Sequence, residues 1–231
     1  MSVQLVVFDM AGTTVEDKDN VHQALINAFA KSGYFIMRDE ANKVMGIPKP
    51  VAIREILQHQ YHIKNNLQQL IDRIHADFVS EMIAFYNTDP SVKPKVNAEE
   101  TFKRLRQNGI KVCLDTGFSR DITNTILQRL GWTKNVIDHS VTSDEVANGR
   151  PAPDMIFKAM KDLGITSVQN VAKVGDTVSD LQEGTAAGCR FVVGITTGAF
   201  NRSELQVEKH THLIDDLAQL PQLLLQADAT S

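Results

Sequence analysis

Short apolar runs alternate with longer amphipathic stretches along most of this chain. Strand signals recur at Leu5–Phe8, Ile110–Leu114, Val171–Val174 and Phe191–Ile195, and the first is a short apolar run of the kind that makes a buried parallel strand. Helical patterns separate the last three, which predicts βα units around a parallel sheet. The segment Val96–Asn108 is amphipathic through Phe102 and Leu105, and Gly109 stands where a helix C-cap belongs. Ser119 suits the N-cap of a helix running to Leu130 and closed by Gly131. Pro153 fits the first turn of a helix through Phe157, Met160 and Leu163, ended by Gly164. Thr177 or Ser179 opens a further helix through Leu181 to Ala187, and Gly188 stops it.

Residues 16 to about 90 follow a different rhythm. No strand-like run interrupts them, and apolar positions recur at helical spacing: Val21/Leu25/Ala28/Phe29, Ile53/Ile56/Leu57, then Leu67/Leu70/Ile71/Ile74/Phe78. The Pro90–Pro94 segment, Pro-Ser-Val-Lys-Pro, marks the return. The expected architecture is α/β. Residues 1–15 and 91–231 form a doubly wound parallel-sheet core, and a small all-helical cap domain, 16–90, is inserted after the first strand. The stripe from Leu67 to Phe78 serves either internal packing or pairing of two subunits. Residues Ala227–Ser231 are expected to fray.

Composition removes several function classes. The chain has 231 residues, 42% apolar content and a formal charge of −4, enough for a good-sized core and without a basic footprint for nucleic acid. No apolar run approaches the roughly 18–20 residues of a membrane span. The first strand begins at once, without a signal-peptide pattern, so a cytoplasmic location is expected. Cys113 and Cys189 fit reduced core thiols. The pairs His59/His62 and His210/His212 lack the company of a histidine metal site.

Four polar segments follow the strand pattern. Asp9 ends the first run and is followed by Gly12-Thr13-Thr14, a turn rich in backbone donors. An aspartate at a strand's carboxyl end, where open α/β sheets place their ligands, suits attack on a phosphoryl group. In Leu114-Asp115-Thr116-Gly117 the Thr116 hydroxyl and neighbouring amides can hold a phosphoryl oxygen. Gly149-Arg150-Pro151 offers a fixed cation for the transferring group. Gly175-Asp176-Thr177-Val178-Ser179-Asp180 places two carboxylates at a strand-to-helix turn. Asp9, Asp176 and the backbone carbonyl of residue 11 form an oxygen-only set suited to Mg²⁺.

In this order, the four segments resemble those of the haloacid dehalogenase superfamily, and the resemblance covers essentially the whole chain. It implies a Rossmann-like core. Most members carry a second aspartate two residues after the nucleophile, as general acid; here that residue is Ala11. Ala11, Arg150 in place of the usual lysine, and the run Lys173–Asp180 are similar to the phosphonoacetaldehyde hydrolases (phosphonatases) and their relatives. The resemblance implies that Ala11 keeps a backbone role as metal ligand and that Asp180 holds the metal shell. It further implies that the lysine of a Met-Gly-x-x-Lys run forms a Schiff base with the substrate aldehyde. Met45-Gly46-Ile47-Pro48-Lys49 has that spacing. An iminium one bond from the phosphonate carbon accepts the electron pair as phosphorus departs, so no acid at position 11 is needed. Pro50 is expected to open a helix to Tyr61, putting Lys49 near its positive end and lowering its pKa. A plain exposed lysine, or a simple cation for a substrate anion, remains the alternative.

The chain also departs from that pattern. Ala52 replaces a frequent histidine, Asp19 a cysteine and Phe118 a tyrosine, and most of an extension after Gly198 is missing. These losses point to a small phosphonate or phosphate ester as substrate, with Arg54 a candidate specificity residue. The leading expectation is a Mg²⁺-dependent hydrolase of a small phosphonate. The alternatives are a phosphomonoesterase on a small metabolite and a non-catalytic phosphate-binding homologue; resemblance adds a candidate homodimer through the cap.

Overall fold

The computed structural model describes residues 2–229. Strand β1 (Leu5–Asp9) is followed by α1 (Asn20–Lys31), α2 (Arg38–Lys43), α3 (Lys49–His59) and α4 (Leu67–Thr88). Then come α5 (Ala98–Gln107), β2 (Lys111–Thr116), α6 (Arg120–Leu130), β3 (His139–Thr142), α7 (Asp154–Leu163), β4 (Val171–Gly175) and α8 (Val178–Ala187). The chain continues through β5 (Phe191–Ile195), α9 (Arg202–Leu205), β6 (His212–Ile214) and α10 (Leu220–Ala229). Helix α10 thus takes in part of the end expected to fray, while 230–231 lie outside the described residues.

All strand pairs are parallel, in the order β3-β2-β1-β4-β5-β6. This is the doubly wound Rossmann-like arrangement, and its order reverses between β1 and β4, where such sheets open a crevice at their carboxyl ends. Every residue of β1, β4 and β5 is buried, which explains why they are mostly apolar, with Asp9 and Lys173 as the charged exceptions. Helix ends follow their capping residues. Gly131, Gly164 and Gly188 close α6, α7 and α8 in the left-handed region. Thr177 opens α8 in a reciprocal capping box with Asp180.

Helices α1–α4 pack on one another chiefly through α4, which touches α1, α3 and also α6 beside the sheet. Ile71, Ile74 and Phe78 of the α4 stripe are buried inside the single chain, with Leu67 and Leu70 packed against the same core. That stripe is therefore internal packing. Phe118, just after β2, meets the α4 rings of Phe78 and Tyr86 at centroid distances of 6.3 and 6.2 Å, joining the helical layer to the sheet edge. Both cysteines are free, Cys113 in the core and Cys189 half-buried. No described helix is long and apolar enough to cross a membrane.

Candidate active site

Parallel register brings Asp9 and Asp115 side by side at the ends of β1 and β2, and Gly175 ends β4 on the other side of β1. Asp176 and Asp180 follow on the β4–α8 turn. Arg150 enters from the loop before α7 with its side chain fully buried. Its Nη1 donates to Asp9 Oδ1 at 2.7 Å, its Nη2 to Asp115 Oδ1 at 2.6 Å and its Nε to Glu183 Oε2 at 3.1 Å. Nη1 also lies 3.0 Å from Asp180 Oδ1. Lys173, equally buried, donates to Asp115 and pairs with Glu183 at 2.9 Å and Asp180 at 3.1 Å. Arg150 was expected to face the transferring group. Here its nitrogens are directed to carboxylates, so it fixes Asp9 in place as well as lending charge.

Carboxyl groups outnumber cations in this cluster, and the pKa values show it. Burial pushes Asp9 up to about 8 against the pull of Arg150. Burial, then the charge of Asp180, pushes Asp176 up to about 6. Glu183 is pushed up to about 8, again mainly by burial. Burial also opposes ionisation of Asp115, but Arg150 and Lys173 outweigh it and lower its pKa. Asp9, Asp176 and Asp180 each offer a carboxylate oxygen within 4.8 Å of the others. A buried, all-oxygen, charge-crowded set fits a hard divalent cation, whose charge opposes the desolvation of Asp9 and Asp176. Thr13 Oγ1 and the Ala199 amide orient Asp176 at 2.7 and 2.6 Å. Gly12, with φ +90°, lies so close that a Cβ there would meet Asp176 Oδ2 at 2.3 Å.

Lys49 joins this site from the helical layer. Helix α3 starts at Lys49, one residue earlier than expected, after the N-cap Pro48. The amine is buried, 3% exposed, and sits 5.9 Å from the Phe78 ring centroid. Burial lowers its pKa to about 8, with Asp9 opposing and Arg150 assisting. Lys49 lines a cavity of about 40 Å³ with Asp9, Ala11, Met45, Gly46, Thr116, Gly117 and Arg150. Gly12 and Thr13 stand behind that cavity, against Asp176. Arg54 does not line it; its Nη2 donates to Gln68 Oε1 at 2.6 Å. A larger open hollow of about 700 Å³ is lined by Lys103, Arg106, Lys111 and Asp138. Its Arg106 and Lys111 are tied to main-chain carbonyls, and none of the strand-end groups reaches it.

The helical segment packs closely against glycines beside the strand ends. A Cβ on Gly117 would meet the Ile47 carbonyl oxygen at 2.9 Å, and one on Gly149 would meet Pro48 Cγ at 2.3 Å. Glycines on the sheet side thus let the Gly46–Pro48 turn settle onto the strand ends.

Some members of the site went unassigned in the sequence. Glu183 lies one turn after Asp180 on α8. Lys173 and Asp115 each put a charge in an otherwise apolar strand, a signal that was available. Asp17 and His22 also line the cavity; His22 was hidden in the apolar stripe of α1.

The model of the haloacid dehalogenase-like hydrolases matches residues 3–188. The chain belongs to that family. Among family members with known names, a phosphonoacetaldehyde hydrolase of Bacillus cereus (strain AH820) is 31% identical over 218 residues, 90% of this chain and 82% of its own. A bifunctional phosphonoacetaldehyde hydrolase/aminoethylphosphonate transaminase of Clostridioides difficile (strain 630) is 33% identical over 196 residues, 80% of this chain. The chain spans 30% of that longer protein's length. A phosphonoacetaldehyde hydrolase-like protein from Oleispira antarctica shares the fold, with a TM-score of 0.82 and 22% identity over 99% of this chain and 94% of its own.

Proposed function

We propose that this hydrolase cleaves the carbon–phosphorus bond of phosphonoacetaldehyde or a close small phosphonate, with helices 16–90 acting as the cap over a core of 1–15 and 91–231. One observation carries the reading. A lysine amine with its pKa lowered to about 8 shares a cavity with the Asp9 carboxyl and with Ala11, which has no acid to offer. The relatives named for phosphonoacetaldehyde hydrolysis support it.

The neutral amine of Lys49 condenses with the substrate aldehyde and forms an iminium. Asp9 then attacks phosphorus, and the electron pair of the breaking carbon–phosphorus bond moves into the iminium to give an enamine. Thr116 and the Gly117 amide hold phosphoryl oxygens, while Arg150 keeps Asp9 in line. Water cleaves the resulting aspartyl-phosphate, and the protonated, hydrolysed enamine leaves as the aldehyde. Asp9, Asp176 and Asp180, with the main-chain carbonyl of residue 11, are the groups that would hold Mg²⁺. Bound there, the ion would offset repulsion between Asp9 and the anionic phosphoryl group.

The test is borohydride reduction during turnover with Mg²⁺ and phosphonoacetaldehyde, followed by peptide mass spectrometry. Lys49 is expected to carry the reduced adduct, and Lys49→Arg, which keeps the charge but cannot condense, to lose turnover. Turnover with Lys49 unmodified would overturn the reading. Brisk hydrolysis of unactivated alkyl phosphates, indifferent to Lys49→Arg, would make the protein a phosphomonoesterase.

A further inference from the structure

Condensation of an amine with an aldehyde needs more than the amine. The carbonyl oxygen must leave as water, so a proton has to reach it from a group lining the cavity. The titratable side chains lining that cavity are Asp9, Asp17, His22, Lys49 and Arg150. Asp9 is engaged by Arg150, and Arg150 is surrounded by carboxylates. Lys49 is the condensing amine. The His22 ring meets Asn42 Oδ1 at 2.9 Å through Nε2, and its buried Nδ1, 3.5 Å from Asp19 Oδ1, makes no hydrogen bond among the described residues. Asp17 remains.

The Asp17 carboxyl is divided between two tasks. Its Oδ1 accepts the Asn20 amide at 2.7 Å and the Val21 amide at 3.4 Å, capping the start of α1. Its Oδ2 accepts no hydrogen bond among the described residues. A carboxyl used only as a cap needs one oxygen and no proton; this one faces a reaction cavity with the other oxygen free.

We propose that Asp17 is the proton-transfer residue for the Lys49 condensation, an inference that rests on the Schiff-base reading above. Lys49 adds to the aldehyde to give a neutral carbinolamine. The protonated Asp17 carboxyl donates to its hydroxyl, the carbon–oxygen bond breaks, and water, the iminium and the Asp17 carboxylate result. In the return direction water adds to the iminium carbon of the product and gives its proton to that carboxylate, regenerating the acid. Burial favours the protonated form of Asp17, opposed by the Asn20 and Val21 amides and by the charge of His22. The charged or titratable groups around it are His22 and Asp19 at α1, Lys49 from α3, Tyr86 from α4 and Lys95 from the return segment.

Asp17→Asn separates the two tasks, because an asparagine oxygen still caps a helix but carries no transferable proton. With Mg²⁺ and phosphonoacetaldehyde, the borohydride-trapped rate of Lys49 adduct formation is expected to fall about 10²-fold while the melting temperature holds. The limb of the wild-type pH profile that falls at high pH is expected to vanish. Asp17→Ser, another cap-competent residue, must behave the same way. An adduct formed equally fast in wild type and both variants overturns this proposal alone. No adduct in the wild type sinks the Schiff-base reading and this one with it.

Discussion

Replacing Lys49 with methionine should make the protein more stable at neutral pH while removing the amine that the proposed condensation requires. The two side chains have similar length, and methionine fills an apolar site without carrying a charge into it. Lys49 is 3% exposed, and burial lowers its pKa from 10.5 to about 8. At about 1.4 kcal/mol per pKa unit, keeping the ammonium in this site costs up to about 3 kcal/mol at neutral pH. Loss of the contact with the Phe78 ring gives back about 0.5–2 kcal/mol, leaving a net gain of about 1–2 kcal/mol. For a chain of this size that is a rise of roughly 2–8 °C in Tm. The sign follows from proton counting. Between about 8 and 10.5 the unfolded chain binds more protons at this lysine than the native one, so wild-type stability gains as pH rises through that window. The penalty is full below about 8 and gone above 10.5. Thermal melts of wild type and Lys49→Met across this range should therefore show a gap that is widest near neutrality and closes toward the upper end. A Lys49→Met protein less stable than wild type at neutral pH, or a gap independent of pH, would refute the reasoning.

Ala11→Asp places a carboxyl at the cavity wall, where an alkoxide leaving group would need one, so hydrolysis of a simple alkyl phosphate should rise about 10²-fold or more. A phosphate-release assay showing no change would count against that position as the missing acid. Asp115→Asn removes the charge of a carboxylate that pairs with both Arg150 and Lys173, breaking two buried ion pairs at once. Urea unfolding should show a loss of about 3–5 kcal/mol, and a loss under about 1 kcal/mol would show that the remaining carboxylates suffice. Gly149→Ala should prop the Pro48 turn away from the strand ends, since the new Cβ would meet Pro48 Cγ at 2.3 Å. Steady-state turnover is expected to drop about 10²-fold for a displacement near 1 Å; activity within twofold of wild type would contradict a tight seam.

Legibility in the sequence tracked how completely each element is buried. Strands β1, β2, β4 and β5 announce themselves because sheet neighbours and covering helices leave few polar positions. The edge strands did not. β3 spells His-Ser-Val-Thr and β6 spells His-Leu-Ile, each open on one side and too short to show a period. The residues at the strand ends were legible because each follows an apolar run and changes abruptly to polar turn chemistry. The Lys173–Glu183–Asp115 layer beneath them was not, because its members become neighbours only through the order β2-β1-β4. Arg54 illustrates a different error. Five residues beyond Lys49 on a helix is a rotation of about 140° from it, so Arg54 turns away toward Gln68 while Ala52 and Ile53 occupy the buried face.

The chemistry and the closure of this site depend on the same contacts. A lysine reacts with a carbonyl only as the free amine, and here burial of Lys49 at the start of α3 makes the amine easier to deprotonate. The cavity of about 40 Å³ lies where the Gly46–Pro48 turn rests against Gly117 and Gly149. The missing carboxyl at position 11 belongs to the same arrangement. An ionised group there would sit in the cavity that Lys49 lines, and its charge would hold on the lysine the proton that the proposed condensation needs removed.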